Sequence, residues 1–579
     1  MISDELHREV LTWLADDPDE RDRAELSSLL RAAEGSDAGA AEAAVTDLTD
    51  RFATRLEFGT AGLRGAVAAG PNRMNRAVVR GTTAALAGWL LYVDPAAADS
   101  GVVIGCDARH RSEEFAIEAA RVLAGAGVAV HLLPPRLPTP VLAFAVRHLS
   151  AAAGVMITAS HNPPADNGYK LYLGDGAQIV PPADLEIEAA TKALGPLSQV
   201  PIAPDNDPLI TRHGDEVTAA YLGAICAASP APKGAAWLRF TYTPLHGVAG
   251  GVALRAFEQA GFPAPDVVEA QFDPDPDFRT VRFPNPEEPG ALDLALAQAR
   301  RSGAELVIAN DPDGDRLAVA VPDDEASGGW RTLTGDQLGA LLGAYLLGLD
   351  VAQSGGTGAG QPQADGQPLV ASTIVSATML SRIAAAAGAA YAETLTGFKW
   401  ISRAADLRPE VRFLYGYEEA LGYTVGRTVR DKDGIGAALA VLSLAARARA
   451  GGESLIEAYD ALEIAHGVHL TSQITVPTQE PVHVMSRLRI EAPAELGGEA
   501  ITATSDLSGG TDQLPSADVL RYWLRGARVV VRPSGTEPKI KAYLEVVEPV
   551  LAGRLTEARR AARARMEPLR DAVADLLNG

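Results

Sequence analysis

The chain has 579 residues, long enough for about three to five domains. Hydrophobic residues make up 47% and charged residues 22%, the balance of a folded globular chain rather than a disordered one. A formal net charge of −23 argues against general affinity for nucleic acid or anionic membrane, and only two cysteines, Cys106 and Cys226, exclude a disulfide framework or a cysteine-built zinc site.

The first residues, MISDELHREVLTWLADDPDERDR, are acidic and amphipathic, with no signal-peptide pattern. Apolar runs at 84–93 and 338–349 are too short or too interrupted for a membrane span, so a soluble, cytoplasmic protein is expected. Residues 1–50 read as helical, an N-terminal extension. LEFGTAGLRG at 56–65 then offers glycines for close backbone approach and one cation, Arg64.

GVVIGCDARHR at 101–111 reads as a buried strand entering a polar loop. Asp107 and Arg109 read as a structural pair near the site, because ligands gather at strand ends. A helical stretch at 113–126 and a strand at 128–133 follow, an α/β alternation that predicts a parallel or mostly parallel sheet. GVMITASHNPPADNGYK at 154–170 sets Ser160 and His161 at the end of an apolar run, with 166–168 read as a turn and Lys170 just beyond. On these residues alone Ser160 is either a turn cap or a reactive hydroxyl, and the G-x-S-x-G elbow of a serine hydrolase is absent.

Pro-rich stretches at 197–208 and 227–234 mark a boundary before a second α/β unit, which opens at 238–247 and includes a strand at 267–268. His246 there reads as a packing or hydrogen-bonding residue. The strand LVIAN at 306–310 runs directly into DPDGDR at 311–316. Carboxylates at alternate positions in a tight Pro/Gly turn converge on one hard cation, and three of them suit magnesium. An EF-hand needs glycine and glutamate where this chain has Arg316 and Pro322, and no GxxxxGK[ST] occurs. Without a neutralising partner three crowded aspartates repel one another.

A helical stretch from 336 starts the third unit, and QSGGTGAGQPQADGQP at 353–368 reads as a disordered insertion. RFLYGYEEALGY at 412–423 is a third strand-to-loop junction. From about 464 the pattern becomes α+β: a strand at 528–531, the loop RPSGTEPK at 532–539, a strand at 540–547, and an amphipathic helix at 551–577 whose Arg-rich face reads as solvated. Arg532, with the hydroxyls and backbone of Ser534, Gly535 and Thr536, reads as an anion clamp or as a plain β-turn.

TASHNP, DPDGDR, GYEEA and RPSGTEPK, in that order across almost the whole chain, resemble the α-D-phosphohexomutase superfamily of phosphoglucomutases and phosphomannomutases. The resemblance implies three related α/β domains with mixed sheets plus a smaller C-terminal α+β domain around a central cleft, here divided at 1–225, 226–335, 336–463 and 464–579. It implies that Ser160 is phosphorylated and donates its phosphoryl group to a sugar monophosphate. A sugar 1,6-bisphosphate then turns around and returns its other phosphate. By match to the family, Mg²⁺ sits on Asp311, Asp313, Asp315 and the Ser160 phosphate, and Lys170 is the general base or acid, assisted by Arg64 and His161. Arg316 orients substrate, Thr396, Gly397, Lys399 and Glu418 bind the sugar, and Arg532, Ser534, Gly535, Thr536 and Lys541 hold the other phosphate. The implied partners are small-molecule sugar phosphates, and the expected state is a monomer.

One departure bears on specificity. Many hexomutases carry Glu-x-Ser in the sugar loop, whereas this chain has Glu418, Glu419 and Ala420, losing a contact worth about 0.5–1.5 kcal/mol. EEALGY, DKDG at 431–434 and FGTAGLRG resemble the branch of phosphopentomutases and glucose-1,6-bisphosphate synthases. Pentose phosphate is therefore an alternative to glucose or mannose phosphate. A non-catalytic sugar-phosphate sensor and a phosphatase or kinase-like phosphotransferase are the rivals from other classes.

Overall fold

The computed structural model describes residues 2–57, 62–326, 328–353, 366–535 and 538–578. The N-terminal residues form α1 (Asp4–Asp16), α2 (Glu20–Ala33) and α3 (Ala38–Phe52). Ser3, Asp19 and Asp37 cap them by accepting from first-turn N–H groups, which lack intrahelical partners. Val10, Leu26, Leu30 and Leu48 form the apolar seam between these helices. The nearly buried Asp19 and Asp22 ion-pair with Arg111 at 2.6 and 2.7 Å, fastening the extension to the next unit.

The first α/β unit holds β1 (Leu63–Ala66), β2 (Val102–Cys106), β3 (Val130–Leu132), β4 (Ala153–Ile157), β5 (Asp166–Leu173) and β6 (Ile210–Arg212), in the order β1-β5-β4-β2-β3-β6. The second holds β7 (Phe240–Thr243), β8 (Asp266–Val267), β9 (Leu306–Asn310), β10 (Leu317–Pro322) and β11 (Trp330–Thr332), ordered β11-β10-β9-β7-β8. The third holds β12 (Gln367–Thr373), β13 (Ala390–Thr394), β14 (Val411–Glu418) and β15 (Gly422–Val425), ordered β13-β12-β14-β15. Inner strands such as β2/β4, β7/β9 and β12/β14 are parallel, but β4/β5, β9/β10 and β14/β15 are antiparallel.

The first sheet is mostly parallel, as the strand–helix alternation suggests, and each of the three sheets adds an antiparallel hairpin beside its parallel inner strands. Connection length is the reason: a parallel return needs about a dozen residues or more, and only residues 158–165, 311–316 and 419–421 separate the three pairs. The turn read at 166–168 is instead the start of β5. Gly168 serves there as a point of close approach, since a Cβ would stand 2.6 Å from the Thr158 carbonyl oxygen and 2.7 Å from that of Leu63.

The C-terminal unit has β16 (Val468–Pro477), a small hairpin of β17 (Glu495–Leu496) and β18 (Glu499–Ala500), then β19 (Ala503–Asp506), β20 (Leu520–Leu524), β21 (Ala527–Pro533) and β22 (Lys539–Glu548). Its main sheet, β16-β22-β21-β20-β19, is antiparallel and backed by the helix Leu555–Asn578. The Arg-rich face of that helix divides: Arg560 and Arg563 are exposed, whereas Arg565 pairs with Glu499 and Glu548 at 2.8 and 2.5 Å. The divisions expected at 225/226 and 463/464 fall inside the helices Glu216–Ala228 and Leu455–His466. Of the insertion read at 353–368, residues 354–365 lie outside the described residues, and Gln367 opens β12.

One apolar cluster runs through the three α/β units, from Val141 and Tyr172 through Tyr242 and Leu317 to Tyr417 and Leu439. The helix Gly434–Gly451 is long and apolar enough to cross a membrane by length and composition, and 72% of it is buried inside the protein. It starts where Asp433 accepts from Ile435 and Gly436 N–H at 3.2 and 2.8 Å. A Cβ on Gly434 would lie 2.2 Å from the Arg316 carbonyl oxygen, so Gly434→Ala is expected to destabilise the protein by about 2 kcal/mol or more, read as a lowered urea midpoint.

Candidate active site

Each of the four loops singled out by sequence is the turn of an antiparallel hairpin: β4/β5, β9/β10, β14/β15 and β21/β22. Short turns hold side chains at fixed positions against the strands behind them, and the first three meet: Ser160 contacts Asp311, and Arg316 bridges to Gly422.

Ser160 lies in the first turn, 2% exposed, with φ of 52°. Serine rarely adopts this left-handed backbone. Bonds at both ends hold it: its N–H donates to Thr158 Oγ1 (2.8 Å), and its carbonyl accepts from Arg109 Nη2 (2.6 Å). Ser160 Oγ then donates to Asp311 Oδ2 at 2.8 Å, with His161 Nδ1 at 3.1 Å. Burial and the charges of Arg316 and Arg64 hold the His161 imidazole well below its ordinary pKa, so it is neutral at pH 7.

Asp311, Asp313 and Asp315 are fully buried, and each offers an oxygen within 4.8 Å of the others. Lys170, carried in by β5, donates to Asp313 Oδ2 (2.6 Å) and Asp315 Oδ2 (2.8 Å), and Thr139 Oγ1 donates to Asp313 Oδ2 (2.7 Å). Burial alone would raise all three carboxyls. Lys170 overrides it at Asp313 and, with Lys432, at Asp315, holding both below the usual range. Burial and the neighbouring charges of Asp313 and Asp315 push Asp311 well above it. Asp313 Oδ1 and Asp315 Oδ1 are buried without a hydrogen-bond partner among the described residues. Three hard carboxylate oxygens facing one point, two of these residues with an unsatisfied oxygen, fit a divalent cation.

Arg64, on β1 opposite Gly168, donates to Asn162 Oδ1 at 3.4 Å, and Arg316 N–H donates to Asp311 Oδ1 at 2.9 Å. Glu418 ends β14, where burial pushes its carboxyl up to about 7 against the pull of Lys432 and Arg316. Lys399, 6% exposed, follows Thr396 and Gly397. Its charged neighbours are Asp184 and Arg403 rather than the aspartate cluster. In the fourth turn Arg532 pairs with Lys541 across β21/β22, Ser534 N–H donates to the Lys539 carbonyl (2.9 Å), and Gly535 is exposed. Thr536 lies outside the described residues.

The roles of Lys432, Asp431, Glu287 and Arg109 near this cluster are not evident from the sequence. Lys432 Nζ stands 3.3 Å from Asp315 Oδ2 and 3.5 Å from Asp431 Oδ1, while Asp431 Oδ2 accepts from Tyr172 and Gln178, both at 2.7 Å. Glu287 Oε2 lies 3.6 Å from Arg316 Nη1, within the field of Lys541. Arg109, read as half of a structural pair, holds the Ser160 loop. DKDG and the charged CDARHR loop were visible signals, but neither carries the identity of its distant partners.

The class to which this hairpin-borne cluster belongs is that of the phosphotransferring isomerases of the phosphohexomutase type. Residues 55–196, 219–326 and 334–463 match the phosphoglucomutase/phosphomannomutase α/β/α domains I, II and III, and residues 486–562 match the C-terminal domain. The chain belongs to the phosphoglucomutase/phosphomannomutase family. It is 42% identical to a probable phosphomannomutase of Haemophilus influenzae over 82% of this chain and 93% of that protein. It is 37% identical to a probable phosphoribomutase of Schizosaccharomyces pombe over 92% of each chain. The crystal structure of a protein described as a "putative phosphomannomutase" from Thermus thermophilus shares the fold, with a TM-score of 0.65 and 24% identity over 91% of this chain and all of that one.

Proposed function

We propose that this protein is a phosphosugar mutase that moves phosphate between C1 and C6 of glucose or mannose phosphate through phosphoSer160 and a sugar 1,6-bisphosphate. The observation that carries this reading is the 2.8 Å contact between Ser160 Oγ and Asp311 Oδ2, made 151 residues apart beside two aspartates neutralised by Lys170. Asp311, Asp313, Asp315 and the Ser160 phosphate would hold Mg²⁺, whose chemistry is to neutralise charge on the phosphoryl oxygens in flight.

In each half reaction the P–O bond at Ser160 or at the sugar breaks as the other forms. The attacking hydroxyl gives up its proton to the neutral His161, and Lys170, an ammonium held by Asp313 and Asp315, is the general acid that supplies a proton to the leaving oxygen. Arg64 steadies the transferring group, and Arg316 orients the substrate. Thr396, Gly397, Lys399 and Glu418 contact the sugar, and Arg532, Ser534, Gly535, Thr536 and Lys541 hold the resting phosphate. Division of the chain into four units, a monomeric state and a cytoplasmic location belong to the same proposal.

A second reading, interconversion of ribose or deoxyribose 1- and 5-phosphates, is favoured by Ala420, which offers no hydroxyl, and by the near-full-length similarity to a phosphoribomutase. Rates for glucose, mannose and ribose 1-phosphates at equal concentration, with Mg²⁺ and the matching bisphosphate, test both. Hexose turnover supports the first and preferential ribose turnover the second. Turnover of none, with Ser160 phosphorylated, defeats both.

Glu418 adds a pH signature. With its carboxyl raised to about 7, it is ionised above that pH and accepts sugar hydroxyls, and below it the proton removes acceptor capacity. KM is expected to rise severalfold as pH falls from 8 to 6, and Glu418→Gln should have a high KM that varies much less over the range. Fitting KM against pH for both proteins checks this and separates Glu418 from the substrate's own phosphate titration.

A further inference from the structure

Four backbone carbonyls of the Ser160 loop converge on one guanidinium. Arg109 Nη2 donates to the carbonyls of Ser160 and Asn162, both at 2.6 Å, and Nη1 to those of Pro163 (2.7 Å) and Asp166 (3.1 Å). Its Nε faces Asp107 Oδ2 at 3.4 Å, and its planar face lies 5.0 Å from the Phe278 ring of the second unit. Asp107 is itself fixed, accepting at Oδ1 from Arg109 N–H (3.0 Å) and Ser112 Oγ (2.6 Å). The Arg109 side chain is 1% exposed.

A guanidinium has five N–H donors in a rigid plane. Here four serve the loop carbonyls, so the fork is fully taken up by the loop, while the fifth, on Nε, makes no hydrogen bond and is buried 3.4 Å from Asp107 Oδ2. We propose that Arg109 is the positioning residue of the phosphoryl carrier: it holds residues 160–166 in the backbone geometry that aims Ser160 Oγ at Asp311, without touching the transferred group. This rests on the reading of Ser160 as that carrier. The left-handed φ of Ser160 gives the proposal its force, because such a backbone persists only where the surroundings impose it. Lysine cannot substitute, since three tetrahedral donors do not match four carbonyls spread around a planar fork.

The test uses the full chain with Mg²⁺ and a sugar bisphosphate. Arg109→Lys and Arg109→Ala are expected to lower kcat by about 100-fold, the scale of an ångström-level misplacement, with KM within threefold of wild type. The rate at which Ser160 takes up phosphate, read by peptide mass, should fall in parallel. Millimolar guanidinium should restore part of kcat in Arg109→Ala, and equimolar methylammonium should not. A general loss of structure would not produce that selectivity.

Asp107→Asn, which removes the counter-charge while keeping an acceptor, covers the case in which the arginine variants do not fold. Its expected result is about a tenfold fall in kcat with unchanged KM and a wild-type near-ultraviolet circular dichroism spectrum. If the wild type never carries phosphate on Ser160, the parent reading falls and this one with it. If the wild type does, but folded Arg109→Lys or Asp107→Asn keeps kcat within twofold, or the loss appears in KM alone, the Arg109 proposal is overturned by itself.

Discussion

Ser160→Ala is expected to lower mutase turnover by about 10⁴-fold or more, as loss of a covalent-catalysis nucleophile does, while sugar-phosphate binding stays within about threefold. The asymmetry comes from where the hydroxyl stands. Ser160 Oγ contacts Asp311 and His161, whereas Glu418 is on the third hairpin, Thr396, Gly397 and Lys399 follow β13, and Arg532, Ser534 and Lys541 are on the fourth hairpin. Little fold stability should be lost, because the strained turn is pinned by its own N–H and carbonyl and not by the side chain. Turnover by a coupled assay and affinity by calorimetry read the two quantities separately. Turnover in Ser160→Ala within tenfold of wild type would rule out the phosphoserine route.

Chelation is expected to have an effect of similar kind. Removing divalent cations should lower turnover by about 10³-fold or more, reversed by Mg²⁺, since charge neutralisation at the phosphoryl group is a large part of such catalysis. Asp313→Asn should impose the same loss without reversal at ordinary Mg²⁺. Lys170 retains Asp315 at 2.8 Å in that variant, so its ammonium is not stranded and the fold should persist. Mg²⁺ should also raise the melting temperature of the wild type. By mass action a site loaded at 100 times its Kd adds about 2.7 kcal/mol, and Asp313→Asn should lose most of the shift. Thermal scans with and without Mg²⁺ and chelator check both.

The motifs were legible because their chemistry is local. Asp311, Asp313 and Asp315 occupy one tight turn, and Ser160 and His161 are neighbours, so no long-range information was needed to suspect them. Strand, helix and α+β character were legible for a similar reason: LVIAN at 306–310 is the strand β9 in full, and residues 4–52 are helical apart from their caps and turns. The antiparallel hairpin returns were not legible. An Asn-Gly pair reads as a turn in isolation, yet Gly168 sits mid-strand because two backbones pass too close for any side chain.

The sequence by itself determined the inventory: a serine, three carboxylates, a sugar loop, a basic turn, and a net charge of −23 that makes any anion site a local affair. Tertiary structure decided which charge meets which. Lys170 neutralises Asp313 and Asp315 from 143 and 145 residues away, Asp431 is held by Tyr172 across 259 residues, and Arg109 closes on four carbonyls of the Ser160 loop. The physical reason is that a buried charge is tolerable only with a partner, and that partner is set by how sheets stack rather than by neighbours along the chain. Side-chain chemistry can be read one residue at a time, but the electrostatic balance of the site exists only once the hairpins have come together.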